Sequence, residues 1–208
     1  MKKKEIVLIG AGGHAQSCID VIEQEGKYRV VGLVGKSEEV GKIIHGHEVL
    51  SDELQLQKLA KRIPLALIAI GQIRSANLRI RLFEKAKLAG FLLPPIKSPL
   101  SYVSSEAEIG NGTIIMHGVI INAGVSIGQN CIINSKALIE HNSRISDNCH
   151  VSTGVLINGE VSVSSGSFIG SGSVIREGVT IGENSFIGMG SVIQGNLDSK
   201  TRLEELNS

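Results

Sequence analysis

The stretch "VSIGQNCIINSKALIEHNSRISDNCHVSTG", residues 125–154, decides the fold because an isoleucine or valine returns at every sixth position. Counted by sixes, these two residue types occupy all sixteen positions from Val103 to Ile193. From residue 107 onward, the residue two places before each of them is small: alanine, serine, threonine, cysteine or valine. A repeat this regular predicts one structural unit copied many times.

The six-residue period predicts a parallel β-helix. In each repeat a short strand turns one aliphatic and one small residue inward, and Gly or Asn stands at the corners that need a positive φ. Three such strands complete a triangular coil, so residues 18 apart stack on neighbouring parallel strands about 4.8 Å away. We expect about five coils over residues 103–196 and a C-terminal tail over residues 197–208.

Residues 1–93 follow a different pattern, which is typical of an α/β domain. A buried strand, a Gly-rich turn, an amphipathic helix and a second strand follow one another in residues 2–35. Further on, residues 52–62 and 76–90 are predicted helices, and residues 64–71 are a predicted third strand. This alternation predicts a Rossmann-like parallel sheet. The proline-bearing segment 94–102 is expected to be a linker to the β-helix.

Gly10, Gly12 and Gly13 lie where the first strand meets its helix, so backbone N–H groups are available to cradle a phosphate there. Ala15 takes the last place of the dinucleotide-binding pattern G-x-G-x-x-G, and the second strand ends in Gly35–Lys36 with no acid before Glu38. NAD is therefore disfavoured. Two readings remain: the phosphate of another nucleotide, or a purely structural turn.

Composition excludes several classes of function. The 208 residues carry a net charge of +1, three cysteines at irregular spacing, and no apolar run long enough to span a bilayer. We therefore expect a cytoplasmic protein with no nucleic-acid partner, no membrane span and no metal site.

The segments "GAGGHA", "EH" and "CHVSTG", followed by an uninterrupted hexapeptide repeat, resemble the NeuD/PglD-type sugar acetyltransferases. The resemblance implies an α/β N-terminal Rossmann-like domain plus an all-β left-handed parallel β-helix. It also implies acetyl transfer from acetyl-CoA to a nucleotide-linked amino sugar or a sialic-acid-like sugar in surface-polysaccharide synthesis. The partners it implies are the sugar or nucleotide sugar and two further copies of the chain, in a homotrimer with active sites between neighbouring β-helices.

The resemblance also assigns roles to residues. It implies that His141 is the catalytic base, that His150 lies near the acyl donor, and that His14 lies near the sugar. An imidazole is suited to take the proton that an attacking amine or hydroxyl must lose. Gly159, one coil beyond His141, is expected to leave room above the imidazole for substrate. Donor-binding glycines are expected further along the repeat, at Gly170, Gly188 and Gly190.

Three departures from the family pattern leave alternatives open. Asn142 stands where members carry an acid after the base, and Glu160, one coil beyond it, is a candidate for the missing carboxylate. Lys36 replaces an acid after the second strand and could instead meet a phosphate or a sugar carboxylate. After Ile193 the chain lacks the Gly-x-Pro-Ala-Lys loop that follows the pantetheine of CoA in the family. The alternative function is therefore a non-catalytic sugar-nucleotide-binding or assembly protein, and the sequence does not separate N- from O-acetylation.

Overall fold

The computed structural model describes residues 3–204, and its first part is the predicted α/β domain. Its strands form one sheet in the order β3-β4-β2-β1-β5, parallel except for the antiparallel pair β3–β4. The strands are β1 (Lys4–Ile9), β2 (Tyr28–Gly35), β3 (Ile43–Ile44), β4 (His47–Asp52) and β5 (Ala66–Ile68). The helices are α1 (Gly13–Glu25), α2 (Leu56–Ala60) and α3 (Asn77–Leu88), with a short 3₁₀ turn at Ser37–Glu39.

The second part is the left-handed parallel β-helix, built from two-residue strands that stack in three flat faces. They are β6 (Ile96–Lys97), β7 (Tyr102–Val103), β8 (Glu108–Ile109), β9 (Ile114–Ile115), β10 (Ile120–Ile121), β11 (Ser126–Ile127), β12 (Ile132–Ile133), β13 (Leu138–Ile139), β14 (Arg144–Ile145), β15 (His150–Val151), β16 (Leu156–Ile157), β17 (Ser162–Val163), β18 (Phe168–Ile169), β19 (Val174–Ile175), β20 (Thr180–Ile181), β21 (Phe186–Ile187), β22 (Val192–Ile193) and β23 (Arg202–Leu203). We name the three sheets by their number of strands. The seven-strand face consists of β6, β9, β12, β15, β18, β21 and β23. The six-strand face consists of β7, β10, β13, β16, β19 and β22, and the five-strand face of β8, β11, β14, β17 and β20.

The corners between the faces follow the predicted backbone chemistry. At every sixth position from 112 to 190 the residue has a positive φ, and twelve of these fourteen residues are Gly or Asn. The exceptions are Lys136 and Glu160, with φ of 62° and 61°. Inside the corners, the aliphatic series and the small residues form one continuous buried core.

The β-helix is longer than the sequence predicted. Segment 94–102, expected to be a linker, contains β6 and the start of β7, which pair with β9 and β10. In the expected tail, Leu197 bridges to Ile181 and β23 pairs with β21. The seven-strand face therefore stacks seven strands where five coils were expected, because strands lacking the full repeat still find backbone partners. The remainder of the tail, residues 205–208, lies outside the described residues.

The α/β domain packs directly on the N-terminal strands of the seven-strand face. Cys18 and Ile22 of α1 share one buried core with Ile96, Ile114 and Ile132, which point outward from that face. This shared core holds the two domains in one fixed arrangement. Within residues 3–204, every helix is too short or too polar to cross a bilayer.

Candidate functional site

A cleft of about 960 Å³ opens at the carboxyl ends of the parallel strands of the α/β domain. Gly10, Gly12 and Gly13 line it, as the Gly-rich turn predicts. Gly10 has a φ of 125°, and a Cβ there would lie 2.7 Å from Ile70 Cγ1, so only glycine fits. Gly12 caps α1 without a side chain, so the N–H groups of Gly13 and His14 are available to an anion, while the N–H of Ala15 donates to the Gly12 carbonyl oxygen at 2.9 Å.

The structure supplies a carboxylate at the end of β2 that the sequence did not reveal. Because β4 pairs in parallel with β2, Asp52 lies opposite Gly35. Asp52 accepts hydrogen bonds from Ser37 Oγ at 2.6 Å and from Leu54 N at 3.0 Å, and these bonds lower the pKa of its carboxyl. Asp52 and Lys36 both line the cleft, so an acid is present where none was expected.

His14 lies at the inner end of this cleft, in the first turn of α1. Burial, with contributions from the charge of Arg79 and from His150, lowers its pKa to about 3. The imidazole is therefore neutral at pH 7. Its Nε2 is buried and has no hydrogen-bond partner among residues 3–204.

His150 lies just beneath the α/β domain, on the seven-strand face. It is 6% exposed, and its Nδ1 donates to the carbonyl oxygen of Gln72. Its Nε2 lies 3.3 Å from Asn134 Nδ2, which donates to it, and its ring meets the ring of Phe168 edge-on at 5.2 Å. Burial lowers the pKa of His150 to about 4, so it too is neutral at pH 7.

Arg79 fixes the floor of the cleft to the β-helix and was not singled out from the sequence. Its guanidinium is 1% exposed and donates to the carbonyl oxygens of Ile68 at 2.7 Å, Ile70 at 2.9 Å and Asn130 at 3.1 Å. Burial lowers its pKa to about 10, which still leaves it charged at pH 7. The helical spacing could have revealed its burial, because Arg79 lies on the same face of α3 as the buried residues Leu82, Phe83 and Ala86.

His141 lies at the corner between the six-strand and five-strand faces, where it is exposed. A Cβ on Gly159 would lie 2.6 Å from His141 Cε1, so the imidazole itself fills the space above Gly159. The structure thus places the imidazole against Gly159, and room for substrate beside the ring stays a prediction. Asn142 Nδ2 lies 3.4 Å from His141 Nδ1.

Glu160 contacts His141 through the backbone. Its N–H donates to the His141 carbonyl oxygen at 3.0 Å, while its side chain is exposed at the same corner. The corner holds Glu160 with a positive φ, a conformation that costs a non-glycine residue about 1 kcal/mol. Glu160 therefore lies beside His141, and within residues 3–204 its carboxylate makes no contact with the imidazole.

One chain does not bring all the predicted site residues together. His141 and His150 are nine residues apart, half of an 18-residue coil, so they lie on opposite sides of the prism. Gly170, Gly188 and Gly190 follow strands of the seven-strand face and lie at its corner with the six-strand face. Gly170 and Gly188 stack so closely that a Cβ on Gly170 would lie 2.5 Å from the Gly188 carbonyl carbon. No cluster of three or more potential metal ligands occurs within residues 3–204.

Comparisons with known proteins cover both halves of the chain. Residues 5–86 match the PglD N-terminal domain family, and residues 106–141 and 160–195 match the bacterial transferase hexapeptide family. A comparison with curated protein sequences found no match.

Three solved structures align along nearly the whole chain. A histidine-to-asparagine mutant of perosamine N-acetyltransferase from Caulobacter crescentus, solved with CoA and GDP-perosamine, has 31% identity and a TM-score of 0.90, covering 97% of this chain and 94% of that one. The acetyltransferase domain of PglB from Neisseria gonorrhoeae has 25% identity and a TM-score of 0.89, with coverage of 98% and 97%. WeeI from Acinetobacter baumannii, at 20% identity, 98% and 97% coverage and a TM-score of 0.85, supports the fold alone. The chain belongs to the NeuD/PglD-type family of hexapeptide-repeat sugar acetyltransferases.

Proposed function

We propose that this enzyme transfers the acetyl group of acetyl-CoA to an amino group of a nucleotide-linked sugar in surface-glycan synthesis, in the cytoplasm. The observation that carries the proposal is the 960 Å³ cleft with the Gly10–Gly13 turn at its floor and the unpartnered Nε2 of His14 at its inner end. The perosamine N-acetyltransferase that aligns over 97% of this chain was solved with CoA and GDP-perosamine, which supports both the donor and the acceptor class.

In this proposal the cleft binds the nucleotide of the acceptor. The diphosphate lies at the free N–H groups of Gly13 and the first turn of α1. Lys36 meets a phosphate oxygen, and the ionised Asp52 accepts hydrogen bonds from the ribose hydroxyls. The sugar then extends toward His14 at the inner end of the cleft.

The active site is completed by a second chain in a homotrimer. The outer column of the six-strand face is apolar and open: Tyr102, Ile120, Leu156 and Val192 are 59%, 42%, 41% and 64% exposed. The five-strand face presents Glu108, Ser126, Arg144, Ser162 and Thr180 at the equivalent positions. Burying the apolar face around a threefold axis is favourable because an exposed apolar stripe of this size is otherwise costly.

In this trimer, residues that lie on opposite sides of one prism come together between two chains. The six-strand face is bounded by the His141 corner on one side and the Gly170–Gly188 corner on the other. Around a threefold axis, the His141 corner of one chain meets the glycine corner of the next. His141 therefore approaches the edge of the seven-strand face that carries His150, and the cleft that ends at His14.

His141 acts as a general base without forming a covalent intermediate. The amine nitrogen bonds to the thioester carbonyl carbon, the carbon–sulfur bond breaks, and the proton taken by His141 Nε2 passes to the leaving sulfur. With the Asn142 amide rotated by half a turn, its Oδ1 accepts from Nδ1–H and leaves Nε2 free to take that proton. Asn142 thus orients the ring without adding charge, and corner N–H groups near Gly170 and Gly188 stabilise the developing oxyanion.

The direct test is thiol release from acetyl-CoA in the presence of GDP- and UDP-linked 4-amino sugars. We expect acceptor-dependent release by the wild-type protein, loss of more than about a hundredfold in His141→Asn, and full activity in the control His47→Asn. The non-catalytic alternative, favoured by Asn142 in the place of an acid, predicts acceptor binding by calorimetry with no release from either protein.

A further inference from the structure

The loop of residues 71–73, between β5 and α3, belongs to the acceptor cleft and to the domain contact at once. Gly71 and Ile73 line the cleft, whereas Gln72 between them is 2% exposed and bonds to the β-helix. We propose that Gln72 is a positioning residue, which aims the imidazole of His150 at the edge of the seven-strand face where the transfer takes place. The inference rests on the proposed acetyl transfer and adds one residue to it.

Gln72 contacts the β-helix through two groups. Its side-chain Nε2 donates to the carbonyl oxygen of Asn148 at 2.9 Å, and its main-chain carbonyl oxygen accepts the hydrogen bond from Nδ1 of His150. Asn148 lies at a corner with a φ of 59°, and its Oδ1 accepts from Asn130 Nδ2 at 2.8 Å. The side chain of Gln72 therefore fixes the position of its own carbonyl group against the coil that carries His150.

Arg79 fixes the start of the same loop to the preceding coil. Its guanidinium donates to the carbonyl oxygens of Ile70 at 2.9 Å and of Asn130 at 3.1 Å. Asn130 and Asn148 are 18 residues apart, so they stack at one corner of the prism. Arg79 thus holds the loop to one coil, and Gln72 holds it to the next, which is the coil of His150.

These contacts decide which ring nitrogen of His150 carries the proton. A carbonyl oxygen only accepts hydrogen bonds, so Nδ1, which meets the Gln72 carbonyl, is protonated. Because the imidazole is neutral at pH 7, its lone pair is on Nε2. Asn134 Nδ2 donates to that lone pair at 3.3 Å, and the ring of Phe168 packs edge-on against the imidazole at 5.2 Å.

The ring held in this way directs Nε2 toward the edge at which the proposed transfer occurs. Asn134, Gly170 and Gly188 are separated by multiples of 18 residues, so they stand in one column at the corner between the seven-strand and six-strand faces. Nδ1 of His150 points to the loop, and Nε2 points to this column. Nε2 is therefore placed to accept a hydrogen bond from an N–H group of a bound ligand, and its aim depends on the opposite side of the ring.

The stability of the fold gives little reason for a glutamine at this position. Gln72 Oε1 is buried and has no hydrogen-bond partner among residues 3–204. An unpaired buried oxygen destabilises a folded protein, and an apolar side chain of the same length would remove it together with the bond to Asn148. Stability alone therefore favours methionine at position 72 about as well as glutamine, so the Gln72→Met variant separates positioning from packing.

The test compares Gln72→Met with the wild-type protein by NMR of ¹⁵N-labelled histidine and by steady-state acetyl transfer. The ¹⁵N signals of His150, identified by their loss in His150→Asn, distinguish a protonated from an unprotonated ring nitrogen. We expect a proton on Nδ1 alone in the wild type and a mixture of both tautomers in Gln72→Met. We expect kcat to fall about tenfold, while the Kd of a nucleoside diphosphate changes by less than about twofold. The melting temperature should change by less than about 4 °C, because a hydrogen bond and an unpaired oxygen are removed together.

Gln129→Met is the matched control. Gln129 Nε2 donates to Asp147 Oδ2 at 3.0 Å, so this substitution removes a glutamine hydrogen bond beside Asn148 and leaves the loop of Gln72 untouched. The tautomer of His150 and kcat should both stay as in the wild type.

Two results would overturn the assignment. An unchanged tautomer in Gln72→Met would show that the side chain does not hold the ring, and a mixed tautomer with full kcat would show that the aim of His150 has no part in the transfer. A wild-type protein that transfers no acetyl group would contradict the proposed function, and the tautomer comparison would still decide whether Gln72 holds His150.

Discussion

Gly159→Ala moves the proposed catalytic base without removing it. The new Cβ would lie 2.6 Å from Cε1, 2.8 Å from Nε2 and 3.2 Å from Nδ1 of His141. Gly159 has an ordinary φ, so the substitution strains the side-chain contact alone. Carbon atoms in contact settle at about 3.5–4.0 Å, and the ring must therefore shift by roughly 1 Å.

A shift of this size has a known cost for positioned catalytic groups. Misplacement by about 1 Å reduces rates roughly a hundredfold, equivalent to about 2.7 kcal/mol of activation free energy. Because His141 is exposed and can swing outward, the fold itself should lose no stability. We therefore expect kcat to fall between about tenfold and a hundredfold, while both KM values change by less than about threefold.

The assay is steady-state acetyl transfer by Gly159→Ala beside the control Gly195→Ala. A Cβ on Gly195 meets no atom within 4 Å and its φ is ordinary, so the control should retain wild-type kcat. In a His141→Ala background, Gly159→Ala should add no further loss, because the two substitutions act on one ring. Full activity of Gly159→Ala, or an equal loss in the His141→Ala background, would refute the assigned contact.

Three further predictions concern Glu160, the two buried histidines and Asp52. Glu160→Gln should leave kcat unchanged, because Glu160 contacts His141 through its backbone N–H, and a loss of rate would instead give the carboxylate a catalytic role. Glu160→Asn should raise the free energy of unfolding by about 1 kcal/mol, because Asn tolerates the positive φ at this corner. Thermal unfolding measures this second change. The pKa values of His14 and His150 are lowered in the folded protein, so below pH 6.5 the unfolded chain binds more protons than the folded one. The free energy of unfolding contributed by these groups should therefore be constant above about pH 7 and decline as the pH falls from 6.5 toward 4. Urea unfolding should show this slope, and His14→Asn and His150→Asn should each flatten it. Asp52→Asn should weaken the binding of a nucleoside diphosphate about tenfold in calorimetry and remove any preference for ribose over 2′-deoxyribose; a preference that survives would place the ribose elsewhere.

The β-helix could be predicted from sequence because its repeat is strictly local. A period of six fixes which residues point inward, and a coil of 18 fixes which residues stack, so the contact of His141 with Gly159 was predictable. The same arithmetic places His141 and His150, nine residues apart, on opposite sides of a coil. The resemblance to the family implied sites shared between chains, and the exposed apolar column of the six-strand face supports the proposal that a second chain brings the two histidines together.

The glycine turn at the floor of the proposed acceptor cleft was predictable from the sequence, and the residues of its walls were not. Gly10, Gly12 and Gly13 directly follow a strand and precede a helix, so the local sequence is enough to predict the Gly-rich turn. Asp52 joins the cleft through the pairing of β2 with β4, which depends on the short β3–β4 hairpin and on a register shift within the pair. Arg79 was missed because a charged residue on a helix is ordinarily exposed, whereas this one meets three backbone carbonyls between two domains.

A complementation experiment with mixed trimers tests the central claim, a transfer site shared between two chains, most directly. His141→Ala and His14→Ala proteins, each inactive alone, are unfolded together, refolded at equal amounts and assayed for acetyl transfer. If His141 of one chain serves the cleft of the next, random mixing restores both wild-type residues in about one quarter of the sites, and about one quarter of the wild-type rate should return. A mixed sample no more active than either variant alone would contradict the account.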